Sequence, residues 1–209
     1  MARRQKEKAQ QTKEELMQSA ARIFERKGFG AATIAEITDH AGYAKGSFYR
    51  CWKSKDEIFL DIMEARLREY RTLRQQKMDR AQNLDQMLNV LVDFLETIID
   101  DENWSRVFLE FTIHAFGNKE VREKLNRSSY RLSTDLFSQI LAPFIHDSAE
   151  AQKLGAFVIA LFEGFLIQQF LESNVLSKQD LRQAILFLGH KFTTPFRAVQ
   201  TDQNQNPCS

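Results

Sequence analysis

The sequence predicts an all-α fold of about nine helices, a three-helix head followed by a longer helical body. Three observations carry that expectation. Apolar residues recur at helical spacing along most of the chain, and no convincing alternating run marks a strand. Only three prolines and eight glycines interrupt 209 residues, so long helices are allowed. Helix starts carry capping boxes, in which a hydroxyl and a carboxylate three residues on satisfy orphan amides. They are Thr12 with Glu15, Thr33 with Glu36, Ser54 with Glu57 and Ser177 with Asp180, plus a looser Asp147 with Glu150.

The first helix follows Thr12, puts Leu16, Ala20, Ile23 and Phe24 on one face, and stops at Gly28-Phe29-Gly30. A second covers 34–40 and ends at Gly42, and a short third covers about 45–52. The fourth starts at Ser54 and runs through Ile58, Ile62, Ala65 and Leu67 toward Met78, gaining charge on the way. Leu84, Met87, Leu88, Leu91, Leu95 and Ile98 form the apolar stripe of the fifth. Residues 104–116 read as the sixth, and 120–141 as a seventh stopped near Pro143. The eighth, 149–172, is apolar on nearly all sides through Leu154, Phe157, Val158, Leu161, Phe162, Phe165 and Leu166. Such a helix is buried all round, and in a domain this small a second chain is a candidate cover for one side. The ninth covers about 178–192, and residues 201–209 read as a disordered polar tail.

Composition excludes several classes. Hydrophobic residues at 43% and charged residues at 27% describe a globular chain and not a disordered one. Cys51 and Cys208 lie far apart, without metal-site spacing, which points to a reducing cytosol; Cys51 reads as a small core residue. No apolar run follows the opening Met1-Ala2-Arg3-Arg4, and the stretch 155–171 carries Glu163, Gln168 and Gln169. A soluble cytoplasmic protein with no membrane partner is expected. No Gly-rich phosphate loop, Gly-x-Ser-x-Gly or Cys-x-x-Cys occurs, and His40, His114, His146 and His190 fall on different segments. No catalytic residue, metal site or cofactor is therefore expected.

Charge is unevenly spread. Residues 1–55 hold 12 Lys and Arg against 6 Asp and Glu, whereas the remainder is acidic and the whole chain is +1. A basic head on an acidic body is the footprint of a protein whose head alone meets phosphates. Within that head, residues 33–52 read TIAEITDHAGYAKGSFYRCW. Two short helices flank Ala41-Gly42-Tyr43, where Gly42 supplies the left-handed turn. Ile34, Ile37, Ala41, Phe48 and Trp52 are spaced to pack the pair onto the first helix, leaving Lys45, Gly46, Ser47, Tyr49 and Arg50 outward. Small, basic and hydroxylated residues suit a helix entering the major groove. An all-helical adaptor that docks peptides is the alternative reading, but it does not require this basic head.

This segment resembles the head of the TetR/AcrR family of bacterial transcriptional regulators. The matching features are Thr33, Ile34-Ala35-Glu36-Ile37, Ala41-Gly42, the run Lys45-Gly46-Ser47-Phe48-Tyr49 to Trp52, and Ser54-Lys55-Asp56-Glu57-Ile58. Ala44 departs from the Ser or Thr common there, so the recognition helix loses a side-chain cap. The resemblance implies a DNA-binding domain at 10–56 and a regulatory, ligand-binding and dimerisation domain at 57–200. It implies that Thr33 and Lys55 anchor phosphates, that Tyr43 and Tyr49 bond the DNA backbone, and that Ala44, Lys45, Gly46, Ser47 and Arg50 line the interface. The partners implied are double-stranded operator DNA, a second copy joined through 149–172 and 178–192, and a small-molecule effector. The basic arm Arg3, Arg4, Lys6 and Lys8 is a further backbone-tracking candidate.

For the effector pocket, Trp104, Phe108, Phe111, Phe116, Phe137, Phe162 and Phe165 are the candidate wall. Glu110, His114, Glu163 and Gln168 are its candidate polar points. Glu163, a carboxylate in an apolar run, points to an apolar or cationic effector, with Arg106 or Arg131 as alternative partners.

Overall fold

The computed structural model describes residues 2–127, 140–145, 147–173 and 175–193. Among them run nine helices: α1 Ala2–Lys27, α2 Ile34–His40, α3 Lys45–Tyr49, α4 Lys55–Met78, α5 Leu84–Asp100, α6 Glu102–Phe116, α7 Lys119–Leu125, α8 Ser148–Phe170 and α9 Lys178–Thr193. No strand occurs among the described residues, and the fold is all-α as the periodicity predicts.

Helix starts follow the expected chemistry unevenly. The Thr33–Glu36 box closes in both directions, and so does Ser177–Asp180. Ser54 accepts from the Glu57 amide, but the Glu57 carboxylate reaches back one residue further, to the Lys53 amide. Asp147 accepts from the Ala149 amide while Glu150 pairs with Lys153, so no box forms there. At Thr12 the expectation is corrected. The helix starts ten residues earlier, because residues 2–11 are good helix formers. The Thr12 hydroxyl donates to the Lys8 carbonyl, and Glu15 is taken by Gln11 and Tyr43. The basic arm is thus a helical extension on which Arg4, Lys6 and Lys8 are exposed.

One other bound differs from expectation. The third helix stops at Tyr49, because the Phe48 carbonyl accepts from both Cys51 and Trp52 and tightens the chain into a turn. Cys51 in that turn is exposed and not a core residue. The described part of α7 ends at Leu125; residues 128–139, with Arg131 and Phe137, lie outside the described residues, as do His146 and the tail.

Buried side chains gather into two cores. One joins α1–α3 and the first half of α4 to α6 and α7, from Leu16 and Phe24 through Phe59 to Phe111 and Leu125. The other joins α5, α8 and α9, around Leu91, Leu95, Leu154, Phe162 and Ile185. Ile58, Phe59, Ile62 and Met63 of α4 belong to the first core. Against α5, α9 lies so close that a Cβ on Gly189 would sit 2.4 Å from Leu88. Arg182 ties the same pair of helices through Asn89, Asp93 and Glu96.

By length and composition α8 is long and apolar enough to cross a membrane. Its Leu154, Val158, Phe162 and Leu166 are buried within the second core, whereas Phe157, Ile167 and Phe170 are exposed.

Candidate nucleic-acid interface

The head is assembled by a few fixed points. Gly28 ends α1 at φ 82°, and its amide closes on the Phe24 carbonyl at 2.7 Å. Gly42 makes the corner between α2 and α3 at φ 73°, a conformation other residues adopt only with strain. Ile37, Phe48 and Trp52 are buried beneath the corner, and Ser19 Oγ donates to the Ile37 carbonyl at 2.7 Å. Trp52 closes the base by donating Nε1–H to Asp61 at 2.9 Å.

With that inner face fixed, α3 presents Lys45, Gly46, Tyr49 and Arg50 as exposed residues, with Ser47 half-buried. Arg50 donates to Ser47 Oγ at 2.9 Å, which holds the guanidinium along the outer face. Tyr49 is 51% exposed and touches Phe48 edge-on. Ala44 is the N-cap residue and gives no side-chain hydrogen bond, as its methyl group dictates. The α3 amides at this end therefore lack a protein side-chain cap, and that of Ser47 donates to the Ala44 carbonyl at 2.8 Å.

Gly46 is the most informative residue of this face. A Cβ placed there meets nothing within 4 Å, and its φ is not positive. Glycine in a helix costs about 1 kcal/mol relative to alanine, and nothing inside the protein requires it here. Gly46→Ala is expected to preserve or raise thermal stability while weakening duplex binding by about 1–3 kcal/mol, the scale of one misfitted base pair. Unchanged affinity, measured by fluorescence anisotropy, would take Gly46 off the contact surface.

Two residues expected at phosphates are spent within the head. The Lys55 ammonium donates to the carbonyls of Phe29, Gly30 and Ala32, at 2.6, 3.1 and 2.9 Å, and lies over the Phe29 ring at 4.5 Å. Burial lowers its pKa, and all three donors are used. Its side chain therefore locks the α1–α2 turn; only its backbone amide, in the first turn of α4, faces the N-terminal end. The Tyr43 hydroxyl likewise donates to Glu15, which pins the turn to α1. Thr33 is exposed, and its hydroxyl exchanges hydrogen bonds with Glu36.

Four of the residues expected to line an effector pocket turn out to join body to head. Phe111 stacks on Phe59 at 4.1 Å and meets Phe29 edge-on at 4.9 Å, while Trp104 stacks on Phe59 at 5.4 Å. Glu110 accepts from the Phe29 amide at 2.7 Å and pairs with Arg106, whose other arm donates to the Glu25 carbonyl. His114 meets Asp56, in the first turn of α4, at 2.7 Å. The cause is the α6 register: positions 104, 107, 111 and 115 form one face directed at α1 and α4, with 110 and 114 at its rim. Phe108 is half-buried against the same core, and Phe116 is exposed. Phe162 and Phe165 are buried in the other core, and Gln168 lines a cleft of about 180 Å³ beside Phe165 and Leu176. Glu163 is half-buried; Arg106 is committed to Glu110 and Glu25 and is not its partner.

Sequence reading missed the arginines of α4. Arg66 pairs with Glu25 and with Asp101, the latter at 2.9 Å, and lies over Trp104 at 4.0 Å. It thereby ties α4 to both α1 and α6. Arg74 is buried. The available signal was the four-residue spacing Arg66, Tyr70, Arg74, which puts all three on one helix face.

Comparison with known proteins agrees with this geometry. Residues 16–62 match the family model described as bacterial regulatory proteins, tetR family. The chain is 29% identical to the HTH-type transcriptional regulator YfiR of Bacillus subtilis (strain 168), over 70% of this chain and 71% of that protein. It is 27% identical to the HTH-type transcriptional regulator AcrR of Shigella flexneri, over 68% of this chain and 67% of the relative. Its fold is shared with the transcriptional regulator FadR of Bacillus subtilis, solved in complex with stearoyl-CoA. That match has a TM-score of 0.68 at 15% identity and covers 84% of this chain and 96% of the other. With its helix-turn-helix at 33–52, inside the tetR-family match over residues 16–62, and an all-helical body behind it, the chain is a DNA-binding transcriptional regulator similar to those of the TetR/AcrR type.

Proposed function

We propose that the chain works as a homodimeric repressor in the bacterial cytoplasm, released from a palindromic operator when a small, largely apolar effector enters its body. The observation that carries the reading is the outer face of α3, where Lys45, Gly46, Tyr49 and Arg50 are exposed around a glycine that the fold itself does not need. Lys45, Gly46, Ser47 and Arg50 are assigned to base edges. Tyr49 and the backbone amides at Ala44 and Lys55 are assigned to phosphates, which set register without reading sequence.

One five-residue helix reaches few base pairs, so two copies on a palindrome are the economical arrangement. An isologous contact through α8 and α9 fits the exposed Phe157, Ile167, Leu171, Leu176 and Phe187. Release follows from the head–body ties. Glu110 and His114 hold the α1–α2 turn and the start of α4, so a shift of α6 on effector binding moves the recognition helix.

Selection of random duplexes by the purified protein tests this. A palindromic winner bound at least about a thousandfold tighter than scrambled DNA is expected. Absence of enrichment would overturn sequence-specific repression and favour an all-helical adaptor.

A further inference from the structure

The body holds a buried positive charge that no carboxylate answers among the described residues. Arg74, in the second half of α4, is 5% exposed, and its Nε has no hydrogen-bond partner. Its guanidinium lies over the Phe94 ring of α5 at 5.0 Å, and Phe94 meets Tyr70 edge-on at 5.3 Å. Burial, reinforced by the neighbouring charge of Arg71, lowers its pKa to about 10, which still leaves it protonated at neutral pH.

The same helix shows a satisfied arginine for contrast. Arg66, two turns earlier on the same face, has its aromatic ring in Trp104 and two carboxylates as well, Glu25 and Asp101. Among the described residues Arg74 has the ring alone. The acids of neighbouring α5 are engaged on the α9 side: Asp93 and Glu96 with Arg182, Asp100 with Lys178 and Asp85 with His190. Among the described residues only one other buried side-chain atom lacks a partner, the neutral Thr112 hydroxyl on α6. A cation–π contact recovers part of the lost hydration of a guanidinium, but a buried charge ordinarily has an opposite charge beside it. Arg74 also sits where α4 leaves the first core, after Met63, and before Met78 packs against the second.

We infer that Arg74 anchors an anionic effector, holding its carboxylate, sulfonate or phosphate group while the apolar part lies against Tyr70 and Phe94. This deepens the reading of the body as effector-binding and rests on it. It also reverses the sign of charge suggested by Glu163, which is half-buried and has an interaction of its own.

The test uses two fluorescent probes with one aryl frame, 1-anilinonaphthalene-8-sulfonate and the uncharged N-phenyl-1-naphthylamine, titrated into the full-length protein. Wild type is expected to bind the sulfonate at least tenfold tighter than the neutral probe. Arg74→Gln is expected to lose at least tenfold for the sulfonate and to change less than twofold for the neutral probe, with Arg74→Lys retaining part of the preference. Arg74→Met is expected to raise the melting temperature of the ligand-free protein, whereas an arginine that merely supports the fold would lower it on removal. Should Arg74→Gln not fold, Arg74→Met serves in its place. Equal affinities in wild type, or undiminished sulfonate binding by Arg74→Gln, overturn the anion assignment while the effector-site reading survives. Failure of both probes to bind overturns both.

Discussion

Phe111→Ala is expected to lower the unfolding free energy by about 3–5 kcal/mol, the range for truncating a buried phenylalanine. Phe111 is fully buried, in ring contact with Phe59 and Phe29. Phe59 comes from α4 and Phe29 from the α1–α2 turn, so the cavity opens between α6 and the head. Neighbouring aromatic side chains collapse poorly into such a space, which puts the cost toward the upper part of the range. Urea unfolding with an unchanged slope is the measurement. A loss under about 1 kcal/mol would mean that the ring cluster repacks and that head and body are joined chiefly by Glu110, His114 and Arg66.

The second large effect concerns assembly. Phe157 on α8 is 51% exposed and Phe187 on α9 is 70% exposed, so replacing both by glutamate removes little from the core of one chain. Within the proposed α8–α9 contact, the same pair of changes buries charges without partners. The double variant Phe157→Glu, Phe187→Glu is expected to sediment as a folded monomer and to lose about 10²–10⁴-fold in operator affinity. That range is the gain from tethering a second head to one site. A variant that stays dimeric would move the contact elsewhere, with the exposed Ile113 and Phe116 of α6 the next face to test.

Much of the head was legible in the sequence because its signals are local. Thr33, Glu36, Gly42 and Ser54 act within four residues of themselves, through caps and a left-handed turn. The apolar spacing of Ile37, Phe48 and Trp52 fixed which side of α3 faces outward. Legibility failed where a side chain had a choice of partners. The hydroxyl of Tyr43 and the ammonium of Lys55 suit phosphates by chemistry, yet Glu15 and three carbonyls of the α1–α2 turn lie within reach in the folded chain.

The body shows the same division at longer range. Periodicity placed α5, α6, α8 and α9 and marked α8 as apolar all round, since burial imposes a 3.6-residue repeat on any helix with a core face. It left open what each face meets. Trp104 and Phe111 look alike as pocket wall or as core, and only the packing of α6 on α1 and α4 assigned them to the joint between head and body. Arg74 reads in the sequence as one more charge on a charged helix; its burial over Phe94, with no acid beside it among the described residues, is a property of how α4 crosses α5. The sequence by itself determined the helices, their caps and the outward face of the recognition helix, because those depend on neighbours one to four residues away. The tertiary structure alone decided which polar groups are spent inside the protein and which charge is left waiting, because desolvation and pairing depend on residues tens of positions apart.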